Sequence, residues 1–164
     1  QADTCSLSDM ECRNSVRVCG AQTMHDMEQE AGYIRYEVER VLNRHLRMHG
    51  GMSPANPHAP LLNGNVVGGN FYLAKTYGNV DGVDYESAGY VDRVHTQRIE
   101  QALKNNDVVL LTTVGSSRLG DLVSVNGNHL AASVATSLQA RKLVYFSSNG
   151  GVLRKRGEKQ SLQD

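Results

Sequence analysis

The 164-residue chain has no tryptophan, two phenylalanines, three prolines and no excess of either charge. Each shortage excludes something. Lysine plus arginine equals aspartate plus glutamate, at 17 each, so no global field attracts nucleic acid or an anionic membrane. The one basic run, Arg154-Lys155-Arg156, lacks the interleaved aromatics that would stack single-stranded bases, and reads as a solvated loop. No stretch approaches the ~20 apolar residues of a membrane span. The longest apolar runs, Val108–Leu111 and Leu143–Phe146, have strand length. The three cysteines, Cys5, Cys12 and Cys19, lie seven apart. That odd count makes no disulfide framework and that spacing no zinc signature. Reduced thiols in a reducing compartment are the expectation. The chain opens on Gln1 with neither an initiator methionine nor a signal-peptide core, which predicts an internal start.

What is present is α/β patterning. Residues 1–20 form a polar segment closing in a short strand, Ser15–Cys19, and residues 21–164 read as one partial domain. From Ala21 to Met48, apolar residues Met24, Met27, Ala31, Ile34, Val38, Val41 and Leu42 recur at three- and four-residue steps, the period of an amphipathic helix. Thr23 is the expected N-cap, and Gly50-Gly51 stop the helix. All three prolines fall in residues 49–63, a loop or arm. Strand pattern follows over Asn65–Tyr77, broken at Gly68-Gly69, then a turn-rich stretch Asn79–Ser87 and a strand Gly89–His95. Helices are expected at Thr96–Asn105 and Gly127–Ala140. Val108–Val114 and Leu143–Ser147 read as strands buried on both faces, joined by a helical crossover and hence parallel.

In an open parallel sheet, ligands sit beyond the carboxyl ends of the strands. Two small-residue turns take that position: Val114–Gly120, with Gly115, Ser116 and Ser117, and Ser147–Gly151, with Asn149, Gly150 and Gly151. There is no GxxxxGK[ST], HExxH or GxSxG motif. Asp81, Asp84 and Glu86 cluster, but in a Gly/Asp/Asn-rich segment aspartate is the expected turn former. The six histidines show no ligand spacing. No catalytic residue, metal or cofactor is assigned.

The block Asn65–Asp84, NVVGGNFYLAKTYGNVDGVD, resembles the motif of plant and bacterial N-acetylglutamate synthases in which GNF leads through Ala-Lys to GVD. Gly89–Val94, Arg98-Ile99, Asp107–Leu111, Gly120-Asp121 and Ala140–Leu143 continue the likeness downstream. Val16–Val18 and Glu30–Arg35 extend it upstream, so it covers about residues 15–153. The resemblance implies an incomplete amino-acid-kinase-like three-layer α/β sandwich with a largely parallel sheet. It also implies a parent that makes N-acetylglutamate through a separate acetyltransferase domain, with arginine as inhibitor. This chain is similar to the regulatory part alone. Where the family shows an asparagine and, four residues on, an acidic residue, this sequence has Ser124 and Asn128, which argues for a weakened ancestral pocket.

Two functions follow. One is a fragment of the kinase-like regulatory domain of an N-acetylglutamate synthase in arginine biosynthesis, not catalytic by itself. The other is a degenerate, non-catalytic scaffold subunit of a larger organellar assembly. An active small kinase is disfavoured, because the phosphate loop expected near the N-terminus is absent. Either reading implies a homo-oligomer or a subunit of a larger assembly, without nucleic acid. The resemblance to organellar enzymes points to the plastid stroma, or alternatively the mitochondrial matrix.

Overall fold

The computed structural model describes residues 12–13, 16–49, 64–146, 153–155 and 158–159. Two short strands, β1 (Cys12–Arg13) and β2 (Val16–Arg17), pair antiparallel. They lead into the long helix α1 (Ala21–His49). The helix begins earlier than Thr23, because the Met24 amide already donates to the Gly20 carbonyl at 2.8 Å. Thr23 therefore lies inside the first turn and caps nothing.

After α1 come β3 (Val66–Gly68), β4 (Tyr72–Thr76), and the small hairpin β5 (Asn79–Val80) and β6 (Val83–Asp84). At the hairpin tip Asp81 and Gly82 have φ of 52° and 77°, the left-handed pair that a two-residue hairpin turn requires. The sequence reading of Asp81 as a turn former is thus realised. Then follow β7 (Ala88–Val94), α2 (Thr96–Lys104), β8 (Val108–Leu110), β9 (Val114–Ser116), β10 (Leu122–Val125) and α3 (Gly127–Ser137). A last antiparallel pair, β11 (Leu153–Lys155) and β12 (Glu158–Lys159), closes the described chain.

The architecture is mixed α/β, as expected, with parallel and antiparallel pairs together. Strands β10, β7, β4 and β9 close a four-stranded barrel in that order. In it β7 runs antiparallel to β4 and parallel to β10. Separately, β3 and β8 pair in parallel, Val66 opposite Val108 through Gly68 opposite Leu110.

Two apolar clusters fill the interior. Tyr72, Ala74, Val123, Val125 and Leu130 pack within the barrel and under α3. Cys19, Met24, Tyr85 and Ala88 pack between the start of α1 and the barrel, with Met27, Val114 and Leu122 against them. The period that predicted α1 therefore marks its packed side: Met24 is buried and Met27 lies against the same cluster.

Two strand assignments change. Val108–Val114 is not one strand buried on both faces: β8 stops at Leu110 and β9 starts at Val114. Between them Thr112 turns inward, its hydroxyl donating to the Val114 carbonyl at 3.1 Å and its carbonyl accepting from the Tyr72 hydroxyl at 2.8 Å. Leu143–Phe146 is not a buried strand either. It lies outside regular structure with Val144, Tyr145 and Phe146 exposed. Helix α3 stops at Ser137, short of Ala140, with Gln139 in the left-handed region at φ 50°. The proline-bearing residues 50–63 lie outside the described residues.

Candidate functional site

The hairpin β9–β10 carries four of the small polar residues singled out above, and the structure gives each a different neighbour. Gly115 and Ser116 belong to β9 rather than to a turn beyond it. Gly115 is buried, and a Cβ there would stand 2.5 Å from Cε2 and 2.7 Å from Oη of Tyr72. Glycine is thus required by the close approach of an aromatic ring. The Ser116 hydroxyl accepts from the Asn70 side-chain amide at 2.9 Å, which ties the Gly-Asn-Phe segment to the hairpin. The Arg98 guanidinium reaches the Asn70 carbonyl at 3.5 Å.

Ser117 does sit in the turn, and its hydroxyl is fully engaged there. It accepts from the amides of Leu119 (3.1 Å) and Asp121 (3.2 Å) and donates to the Asp121 carboxylate (3.1 Å). This is a serine organising a turn through its own backbone. Beside it, Arg118 meets Asp92 at 3.2 Å on the surface.

Ser124, on β10, points to the other cluster, where its hydroxyl approaches the Met27 sulfur at 3.6 Å. There the Cys19 sulfur lies 3.9 Å from that of Met24 and 3.8 Å from that of Met27. Burial among these apolar groups raises the Cys19 thiol, with the Ser124 hydroxyl and the Arg17 charge opposing in part. The thiol is held protonated and is a poor nucleophile at neutral pH.

Asn128 stands in the first turn of α3. Its neighbour Asn126, which the sequence reading did not single out, is the N-cap: its side-chain oxygen accepts from the amides of Asn128 (2.9 Å) and His129 (3.2 Å). The signal was available, since asparagine directly before a helical stretch is a preferred cap. Asn149, Gly150 and Gly151 lie outside the described residues.

The structure therefore brings Gly115, Ser116 and Ser117 together along one hairpin and places Ser124 and Asn128 at the other end of β10. Among the described residues, the hydroxyls of Ser116, Ser117 and Ser124 are each engaged with a neighbour outside this set: Asn70, the Leu119–Asp121 turn and Met27. No group of three or more His, Cys, Asp or Glu side chains among them is arranged to hold a metal ion, and no described helix is long and apolar enough to cross a membrane. The Asp84 carboxylate is occupied locally, accepting from the Glu86 amide at 2.9 Å.

Comparison with known proteins extends this geometry. The chain is 34% identical over 143 residues to the amino-acid acetyltransferase of Mannheimia succiniciproducens, covering 87% of this chain and 30% of that protein. It is 33% identical to the enzyme of the same name from Aliivibrio fischeri, with the same coverage. Among solved structures, N-acetylglutamate synthase from Neisseria gonorrhoeae complexed with coenzyme A and N-acetyl-glutamate superimposes with a TM-score of 0.70 at 29% identity. That match covers 87% of this chain and 30% of the synthase. The same synthase complexed with coenzyme A and L-arginine gives 0.72, also at 29% identity, covering 91% and 32%. This chain thus spans about 30% of the length of the curated relatives it matches. The model of the amino acid kinase family matches residues 11–163, nearly the whole sequence, and the chain belongs to that family.

Proposed function

We propose that this chain is a segment of the amino-acid-kinase-like regulatory domain of an N-acetylglutamate synthase and performs no acetyl transfer by itself. The observation that carries the reading is the superposition on the Neisseria gonorrhoeae synthase over 87% of this chain but only 30% of that one. The chemistry of the described residues agrees with a supporting role. The hydroxyl of Ser117 is spent on its own turn, and the Cys19 thiol is buried and protonated. Neither is presented as a nucleophile or a general base. Acetyl transfer from a thioester to the amine of glutamate, with release of the coenzyme A thiol, is assigned to the remainder of the parent protein. Arginine is proposed as its regulatory ligand, because the similar synthase was crystallised with it. The scaffold-subunit alternative gains no support from the relatives.

The test is an assay of the full natural protein, preceded by its intact mass, for glutamate-dependent release of free coenzyme A from acetyl-CoA, with and without arginine. Glutamate-dependent release that arginine lowers, and that the 164-residue chain alone does not give, is the expected result. A full natural protein that releases no coenzyme A on addition of glutamate overturns the reading.

A further inference from the structure

Three sulfur atoms meet where α1 joins the barrel. Cys19 lies just ahead of the helix, and Met24 and Met27 stand three residues apart on one of its faces. The Cys19 sulfur is 3.9 Å from that of Met24 and 3.8 Å from that of Met27. A thiol carries one proton, so it cannot serve two thioether acceptors at once. A cation held between the sulfurs can. Metal–sulfur bonds of about 2.3 Å around a trigonal centre set neighbouring sulfurs about 4 Å apart, and both spacings measured from Cys19 match that figure. The Ser124 hydroxyl, 3.6 Å from the Met27 sulfur, takes one of its two lone pairs and leaves the other facing Cys19.

Donor chemistry and charge identify the cation. Thiolate and thioether are soft ligands that select Cu(I) over magnesium, calcium or manganese, which take oxygen donors. Once the thiol proton leaves, Cys19 contributes one negative charge and the methionines none. A monovalent ion brings the site to neutrality. A divalent ion would leave a net positive charge packed against Tyr85, Ala88 and Leu122, where desolvation opposes it. Structural zinc also requires a closed tetrahedral set, which three sulfurs do not complete. Cys19 and Met24 are buried, while Met27 is only half-buried, so the approach is from the Met27 side.

We propose that Cys19, Met24 and Met27 form a three-sulfur binding site for Cu(I), in which the ion takes the place of the thiol proton. The proton passes to solvent, a copper–sulfur bond forms in its stead, and neither copper nor sulfur changes oxidation state. Occupancy ties the first turns of α1 to the residue ahead of it. The site goes beyond the regulatory-domain reading and does not depend on it, since its readout is metal retained rather than turnover.

Anaerobic titration of the reduced full natural protein with Cu(I), against a bicinchoninate competitor, tests it. The wild type is expected to retain one more tightly held equivalent than Cys19→Ser. Met24→Leu combined with Met27→Leu keeps every thiol and conserves core volume. That double variant is expected to hold the same equivalent at least about tenfold more weakly, since losing even a supporting group around a metal costs about 10- to 100-fold. The proposal is overturned if Cys19→Ser retains as many equivalents as the wild type. It is equally overturned if the double variant matches wild-type affinity, the mark of binding to thiols alone. Should Cys19→Ser fail to fold, the double variant decides by itself.

Discussion

The ring of Tyr72 occupies the space where a side chain on Gly115 would begin, 2.5 Å from the site of its Cβ. Tyr72 is itself nearly sealed from solvent and donates from its hydroxyl to the Thr112 carbonyl. The β4–β9 side of the barrel is therefore closed by one aromatic ring against one bare backbone position. Gly115→Ala is expected to destabilise the fold by about 2 kcal/mol, the usual scale for overpacking a filled core. The urea unfolding midpoint measures it, and a midpoint equal to wild type would show that the ring moves aside freely.

Tyr72→Phe keeps the ring and removes the hydrogen bond, at an expected cost of about 1 kcal/mol. Its pH dependence is more telling. Burial raises the Tyr72 phenol above its ordinary 10.0. Above pH 10 the unfolded chain ionises this group while the folded chain keeps it protonated. Its contribution to stability is therefore intact below pH 10 and is lost as pH rises further. Unfolding curves between pH 9 and 11 are expected to slope downward less steeply for Tyr72→Phe than for the wild type.

At the start of α3, Asn126→Ala removes the acceptor of two backbone amides. A loss of about 1 kcal/mol is expected, and Asn126→Asp or Asn126→Ser is expected to recover most of it. Equal loss in all three variants would mean that the asparagine is needed for something other than capping.

Cys19 offers a kinetic test. Its sulfur is enclosed by Met24 and Met27, and its thiol is raised by burial. Alkylation mapped by peptide mass at pH 8 is expected to leave Cys19 unmodified in native buffer and to go to completion in urea. Rapid native labelling would contradict the enclosure.

Ser117→Ala removes three hydrogen bonds that shape the β9–β10 turn and is expected to cost about 1 kcal/mol. Arg118→Ala, next to it, removes only an exposed ion pair and is expected to change stability by less than about 0.5 kcal/mol. Chemical denaturation of the two variants side by side separates an organising hydroxyl from a solvated charge.

These residues also show what could be read in advance. Helix α1 was legible because Met24, Met27 and Ala31 repeat at helical steps whatever they pack on. The strand pattern over Asn65–Tyr77, broken at Gly68-Gly69, placed β3 and β4, and the turn-rich stretch after it holds the hairpin β5–β6. Val108–Val114 was misread because an apolar run reports hydrophobicity, not continuity. The hydrogen bond from Tyr72, forty residues earlier, holds Thr112 where the strand breaks, and no local pattern announces it. Gly115 and Ser117 looked like ligand-loop residues because a glycine that admits a ring and one that admits a phosphate are identical in sequence. The serine of a self-bonded turn is equally hard to tell from one that binds an oxyanion. Leu143–Phe146 has strand composition, yet a strand also needs a neighbour to pair with, and composition does not supply one.

The bridge between Cys19 and Glu86 gives the Ser87 amide an unusual standing. That amide donates to the Cys19 carbonyl at 3.0 Å, so one proton joins Cys19, at the entry to α1, to Ser87, the residue just before β7. Lifting the first turn of α1 from the barrel exposes that proton to solvent even if every strand of the barrel stays paired. Its exchange with deuterium is thus a single-site gauge of whether the long helix is seated, readable without unfolding anything else.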